Sequence, residues 1–233
     1  MNVMILAAGR GERLRPLTDL LPKPLVEVAG LPVIEHTLRR LTTLGVDLVV
    51  INVCYLADKM IEYIGDGSAW GLRVVWSREQ RLLETGGGVR QALGLLGSEP
   101  FLVINGDVLW DLNLKLFLAQ FDGERMDGLL GLVANPVWKK GDFVLNQEGR
   151  LARYRGEGVG WTYSGIQILT PNMFASHTQE AFSLNALYDT SLLMGRLYGS
   201  VLTGFWSDIG QLDRLEQARK EWPEYQREFT SNG

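Results

Sequence analysis

The chain has 233 residues, 46% of them hydrophobic and 21% charged, enough for one large α/β domain with a substantial core. Its 23 basic and 27 acidic residues give a net charge of −4 without a long basic run, which argues against non-specific nucleic-acid binding and a basic membrane-binding surface. One cysteine, Cys54, excludes an intramolecular disulfide and its apolar neighbours predict a buried free thiol; with no zinc-ligand set, no cleavable leader and no apolar run of membrane-spanning length, a soluble cytoplasmic protein is expected.

The apolar run Val3-Met4-Ile5-Leu6 predicts a buried strand. It opens into Ala7-Ala8-Gly9-Arg10-Gly11-Glu12-Arg13-Leu14-Arg15-Pro16-Leu17-Thr18, followed by Pro22-Lys23-Pro24-Leu25. Gly9 and Gly11 leave no side chain between the main chain and a ligand, and successive exposed N–H groups in such a turn form an anion-binding concavity. Arg10, Arg13, Arg15 and Lys23 crowd into fourteen positions. Backbone donors and guanidinium forks together suit a polyanion such as a triphosphate. Neither commoner phosphate signature is present: Leu14 stands where G-x-G-x-x-G needs its third glycine, and the G-K-[ST] of a P-loop is missing. A nicotinamide cofactor and P-loop kinase chemistry are therefore not expected.

Leu31-Pro32 opens a helix with Ile34, Leu38 and Leu41 as its apolar stripe and Gly45 as its stop. A strand over 47–53, a helix over 58–64 and a strand over 72–76 follow, a succession that argues for a parallel sheet with ligands beyond the carboxyl ends of its strands. Leu83-Glu84-Thr85-Gly86-Gly87-Gly88-Val89 then precedes a helix over 90–96. Three glycines there form either a flexible linker or a place where a ligand approaches the backbone. A strand over 101–104 runs into Asn105-Gly106-Asp107, which puts a carboxylate where it can hold a hard cation. Beyond it the pattern predicts a helix over 111–121 and shorter strands over 128–135, 142–145 and 163–169. A helix over 185–197, a strand over 201–206 ending in Ser207-Asp208-Ile209-Gly210, a closing helix over 211–222 and a partly frayed polar end over 223–233 complete the chain.

The string from Leu6 to Leu25 resembles the signature of the sugar-1-phosphate nucleotidylyltransferases, L-A-G/A-G-x-G-x-R-L-x-P-L-T followed by P-K-P-L, and fits it without a gap. The resemblance implies a Rossmann-like mixed, mostly parallel sheet flanked by helices, of the nucleotide-diphospho-sugar transferase type. It also implies a single domain over 1–233, with a nucleotide-binding half (1–121) and a sugar-phosphate-binding half (122–222) that carries a small sugar-binding elaboration. The implied reaction is attack of a sugar-1-phosphate oxygen on the α-phosphorus of a nucleoside triphosphate, with release of pyrophosphate. By the same resemblance Leu6, Ala7, Ala8, Gly9, Gly11, Arg13, Lys23, Gly86, Gly87, Asn105 and Gly106 contact the nucleotide, and Glu84, Thr85, Asp142 and Gly165 the sugar phosphate. Asp107, and Asp208 within the family's W-x-D-[IV]-G, hold Mg²⁺. Arg13 on the leaving phosphates and Lys23 at the reacting centre join these aspartates as the catalytic set. The nucleophile is already an anion, so no general base is needed, which suits a chain with two histidines, neither in a motif.

Within the family the chain resembles the short bacterial N-acetylmuramate-1-phosphate uridylyltransferases of peptidoglycan recycling. It shares L-E-T-G-G-G at 83–88, N-G-D-V at 105–108, G-D-F at 141–143 and S-G-I at 164–166, and carries Val53 where those enzymes tend to have histidine. UTP and N-acetylmuramate-1-phosphate are the substrates this implies, with glucose- or mannose-1-phosphate and UTP, dTTP or GTP as the alternatives. A non-catalytic nucleotide-sugar-binding protein on the same fold would be expected to lose Arg13, Lys23, Asp107 or Asp208, and all four are present.

Overall fold

The computed structural model describes residues 1–230. After β1 (Val3–Leu6) and a short α1 (Leu17–Leu20), the two-residue strands β2 (Glu27–Val28) and β3 (Leu31–Pro32) pair as a hairpin. Pro32, whose fixed φ suits a helix entry, caps α2 (Val33–Thr43). Then come β4 (Leu48–Val53), α3 (Ala57–Ile64), β5 (Arg73–Arg78), α4 (Glu84–Leu96), β6 (Phe101–Asn105), β7 (Val108–Leu112) and α5 (Leu114–Ala119). The second half holds β8 (Gly128–Val133), the antiparallel pair β9 (Phe143–Leu145) and β10 (Leu151–Arg153), β11 (Thr162–Leu169), α6 (Asn185–Leu193), β12 (Leu197–Val201), β13 (Gly204–Asp208) and α7 (Leu212–Thr230).

Seven strands form one sheet in the order β12-β8-β11-β6-β1-β4-β5. Strands β6, β1, β4 and β5 are parallel, β8 and β12 are parallel to each other, and β11 runs against both its neighbours. The sheet is therefore mixed and mostly parallel, as expected, and β6 of the first half pairs directly with β11 of the second. The chain leaves β1 for β4 on one side and reaches β6 on the other, so the crevice at the carboxyl ends of β1 and β6 is a topological switch point, where such sheets bind ligands. The register sets Leu6 beside Asn105, and the glycine loop and Asn105-Gly106-Asp107 therefore leave the sheet side by side.

Apolar side chains on both faces of the central strands are covered. Ile5, Ile51 and Ile104 pack with Ile34 and Leu38 of α2 and Met60 of α3, while Met4, Val50 and Val103 pack with Val89 and Ala92 of α4 and Leu187 of α6. A third apolar cluster joins distant parts of the chain: Leu215, Ala218 and Trp222 of α7 pack with Leu14 of the glycine loop, Leu109 of β7 and Ile209. Fully burying a side chain of this size contributes about 1.5–3 kcal/mol, so α7 is a strong fastener of the loops that follow β1 and β13.

Several sequence expectations are corrected. Residues 108–112 form strand β7 and the helix after them shortens to α5, because the alternating Val108, Trp110 and Leu112 pair antiparallel with β13. Residues 185–197 divide into α6 and the start of β12, separated by Gly195 at φ +65°. The strand expected over 201–206 is two strands, β12 and β13, broken at Leu202-Thr203. Pro223 lies inside α7, where the frayed end was expected to begin; the last part of that expectation, 231–233, lies outside the described residues. Cys54 is half-buried instead of buried. Among the described residues no helix is long and apolar enough to cross a membrane.

Candidate active site

A cavity of about 640 Å³ opens at the switch point. Its walls are Leu6 to Arg13, Lys23 and Pro24, Asn52 at the end of β4, Glu79, Leu82, Glu84 and Thr85 at the head of α4, Asn105 to Asp107, and Gly210. Its volume is in the range of small-molecule sites, roughly 300–1,000 Å³. The glycine loop is shaped by its own residues: Gly11 has φ +66°, Leu14 N–H donates to Gly11 O at 2.8 Å, and the Thr18 hydroxyl donates to the same oxygen at 2.7 Å. Gly106 N–H donates to Leu6 O at 2.9 Å, which ties the two strand ends together.

Four groups expected to carry the chemistry converge. The Lys23 ammonium is ion-paired with Asp107 Oδ2. A Cβ placed on Gly210 would stand 2.6 Å from Asp208 Oδ1, 3.2 Å from Lys23 Nζ and 3.4 Å from Arg13 Nη2, so those groups surround one point. Pairing of β13 with β7 brings the two aspartates together, with Ile209 N–H donating to Asp107 O at 3.0 Å. Asp208 is held at both oxygens, Oδ1 by Gly210 N–H and Oδ2 by Arg214 Nη1, each at 2.7 Å. Arg10 and Arg13 line the cavity with no ion pair among the described residues, whereas Arg15 pairs with Asp19 at the surface. The loop therefore presents to the cavity two guanidinium groups without an ion-pair partner among the described residues, with the Glu12 carboxylate between them in sequence.

The donor set suits magnesium. Mg²⁺ is ordinarily held by one or two carboxylates with the other positions filled by phosphate oxygens and water. Asp107 and Asp208 supply two carboxylates, and no group of three or more histidine, cysteine or acidic side chains able to hold a metal occurs among the described residues.

Other expected contacts are placed differently. Helix α4 begins at Glu84, so Gly86, Gly87 and Gly88 lie in its first turns and not in a loop before it. Gly86 and Gly87 donate their N–H groups to Phe182 O at 2.8 and 3.1 Å and do not line the cavity. The reason is the segment 180–184, which docks on the head of α4: Phe182 N–H donates to Leu83 O, and Leu184 N–H to Thr85 Oγ1. Glu84 and Thr85 stay on the rim. Asp142 Oδ2 accepts Tyr163 N–H at 2.9 Å and pairs with Lys139, and Gly165 packs against Asn105; neither lines this cavity.

Sequence reasoning passed over a buried polar pair in the cavity wall. Asn52 Oδ1 accepts Ala7 N–H at 2.8 Å, Asn52 Nδ2 donates to Glu79 Oε1 at 2.7 Å, and Glu79 Oε2 accepts Leu83 N–H at 3.1 Å. The pair fixes the glycine loop against the head of α4. Burial pushes the Glu79 carboxyl above its ordinary value, against the pull of its two hydrogen bonds. Asn52 left a signal, a lone polar residue inside Leu48-Val49-Val50-Ile51-Asn52-Val53; Glu79, in an irregular segment, left none. Arg214 was also missed, being an ordinary arginine in a helical pattern.

Residues 2–144 match the family model described as nucleotidyl transferase. The chain is 42% identical to an N-acetylmuramate alpha-1-phosphate uridylyltransferase of Neisseria meningitidis serogroup B, over 94% of this chain and 97% of that protein. It is 39% identical to the Caulobacter vibrioides protein of the same name, over 89% and 90%. The solved structure of HddC from Yersinia pseudotuberculosis complexed with GMP-PN superposes with a TM-score of 0.79 at 25% identity, covering 95% of this chain and 99% of that one. With the signature loop, the switch-point cavity and these matches in agreement, the chain belongs to the nucleotidyl transferase family.

Proposed function

We propose that this chain transfers the uridylyl group of UTP to N-acetylmuramate-1-phosphate, giving a UDP-sugar and pyrophosphate, in the cytoplasm and in the recycling of peptidoglycan sugars. The observation that carries the reaction type is the convergence of Arg13, Lys23, Asp107 and Asp208 beside the glycine loop. The choice of uridylyl and muramyl groups rests on the names of the Neisseria and Caulobacter relatives.

In the reaction a sugar-phosphate oxygen forms a bond to the α-phosphorus while the bond from that phosphorus to the bridging oxygen breaks and pyrophosphate leaves. Both reactants are anions, so the site must hold like charges in line; such positioning supplies about 7–11 kcal/mol of barrier reduction. The N–H groups of the glycine loop receive phosphate oxygens, and Arg13, with Arg10 beside it, receives the leaving β,γ-phosphates. Lys23, held near the reacting centre by Asp107, meets the charge developing there. Asn105 and Gly106 border the ribose and α-phosphate, and Glu84 and Thr85 form the rim toward the sugar. Magnesium held by Asp107 and Asp208 would supply neutralisation of the phosphoryl oxygens.

The test is pyrophosphate release from UTP and Mg²⁺ with N-acetylmuramate-1-phosphate, set against the glucose, N-acetylglucosamine and mannose analogues and against GTP and dTTP. Release well above the others with UTP and the muramate sugar is expected. Release only with another pair keeps the reaction and replaces the substrates, and no release with any pair makes the chain a non-catalytic binder.

A further inference from the structure

A second cavity, of about 490 Å³, has Asp208 in its wall. Three indoles face it, Trp138, Trp161 and Trp206, and so does Arg214 from α7. Trp206 is fixed by its Nε1–H donating to Ser164 O at 2.7 Å. The Arg214 guanidinium lies 3.5 Å from the centre of the Trp138 ring, and its side chain is only 13% exposed. One of its nitrogens, Nη1, is committed to Asp208; Nε and Nη2 make no hydrogen bond with a described residue. A guanidinium has five N–H donors in a planar fork, and stacking on an indole fixes that plane. Arg214 therefore has one edge on the carboxylate proposed to meet the reacting phosphates and free donors beside an aromatic cavity.

The sugar acid of the proposed reaction differs from N-acetylglucosamine by a lactyl ether, whose carboxylate is its distinguishing group. We propose that the second cavity receives this acidic substituent and that Arg214 reads its carboxylate, making Arg214 the specificity-determining residue of the acceptor site. The inference rests on the reading of the chain as an uridylyltransferase for an acidic sugar phosphate. The indoles suit the apolar lactyl methyl, and Asp208, which lines this cavity, has its Oδ1 around the same point as Lys23 Nζ and Arg13 Nη2 of the first cavity, so a ligand with its phosphate at the reacting centre has its acid within reach of the second cavity. The rival cation, Lys139 on the loop that carries Trp138, already pairs with Asp142 at 2.7 Å. Glu221, the carboxylate across the same helix face, accepts a hydrogen bond from Gln217 at 2.7 Å and lies two helical turns from Arg214.

Arg214 also touches Asp208, so R214Q is expected to lower turnover with every sugar; the informative quantity is the ratio of kcat/KM for N-acetylmuramate-1-phosphate to that for N-acetylglucosamine-1-phosphate. R214Q should lower this ratio at least about tenfold, the loss of a charge-assisted pair, while K139Q leaves it within about twofold. Binding is measured in parallel with free N-acetylmuramate and free N-acetylglucosamine through tryptophan emission: the acid should quench the wild type and not R214Q, and the neutral sugar should quench neither strongly. An equal fall with both sugars together with unchanged quenching by the acid, or a ratio moved by K139Q instead, overturns the proposal. Quenching by the acid that R214Q abolishes, in a protein that releases no pyrophosphate with any sugar, overturns the uridylyltransferase reading and leaves the acid site standing.

Discussion

Gly9 and Gly11 stand at the mouth of the large cavity, and Gly86, Gly87 and Gly88 stand in the first turns of α4; the space around the two groups differs. A Cβ on Gly9 would have no atom within 4 Å. On Gly86 it would fall 2.3 Å from Phe182 Cε2, on Gly87 2.3 Å from Glu180 O, and on Gly88 2.7 Å from both Asn52 Nδ2 and Glu79 Oε1. Gly11 belongs with the second kind, since its φ of +66° and a Thr18 methyl at 2.8 Å both exclude a side chain. The first position is open toward the cavity, whereas the others are closed by the protein itself. A run of glycines in a sequence thus reports close approach of something to the backbone, and the fold decides whether that is a ligand or the segment 180–184.

The comparison can be pressed by substitution. The largest effect is expected on the open side, where the strand end beside Gly9 leads to Asp107: D107A should reduce turnover at least about a hundredfold in Mg²⁺ while circular dichroism shows the fold intact, and near-normal turnover would remove this carboxylate from the mechanism. On the closed side G87A forces the 180–184 segment from the head of α4, with an expected loss of about 2–3 kcal/mol, or roughly 5–10 °C in Tm. A G87A protein as stable as the wild type would show that the docked segment is not a fixed part of the fold. G9A should leave stability within about 0.5 kcal/mol and raise KM for the nucleotide about tenfold, because the new methyl occupies the ligand's approach to the backbone. If G9A lowers Tm and spares KM, the contrast between the two stretches fails.

The smallest effect concerns the polar pair that joins both sides. Glu79 titrates above its ordinary 4.5 in the folded chain, so the folded state keeps this proton longer than the unfolded one. Its contribution to stability is complete below about 4.5 and is lost as pH rises through the raised folded value. E79Q lacks that titration. Denaturation midpoints of the two proteins between pH 4 and 7 should shift steadily in favour of the glutamine variant, and parallel curves would show that the carboxylate is not desolvated.

Much of this site is legible in the residues because its parts are local. The strand, the two glycines and the lysine between prolines all fall within Val3 to Leu25, and the central strands announce themselves as apolar runs. The features that escaped depend on pairing across the chain. Residues 108–112 become β7 only because 204–208 lie against them, and the head of α4 starts at Glu84, at φ +58°, only because Phe182 satisfies the N–H groups behind it. Arg214 gains its place from Trp138, far away in sequence, which no helical pattern announces.

The packing of α7 has a consequence for how the protein is made. Leu14 and Val26 leave the ribosome early, yet the partners that cover them, Leu215, Ala218 and Trp222, are synthesised about two hundred residues later. Until then the glycine loop keeps an apolar flank in water, and closing a contact of that span costs chain entropy that only the finished cluster offsets. The scaffold of the loop is therefore incomplete until α7 has been made, and a nascent chain stalled before α7 carries the signature loop without it.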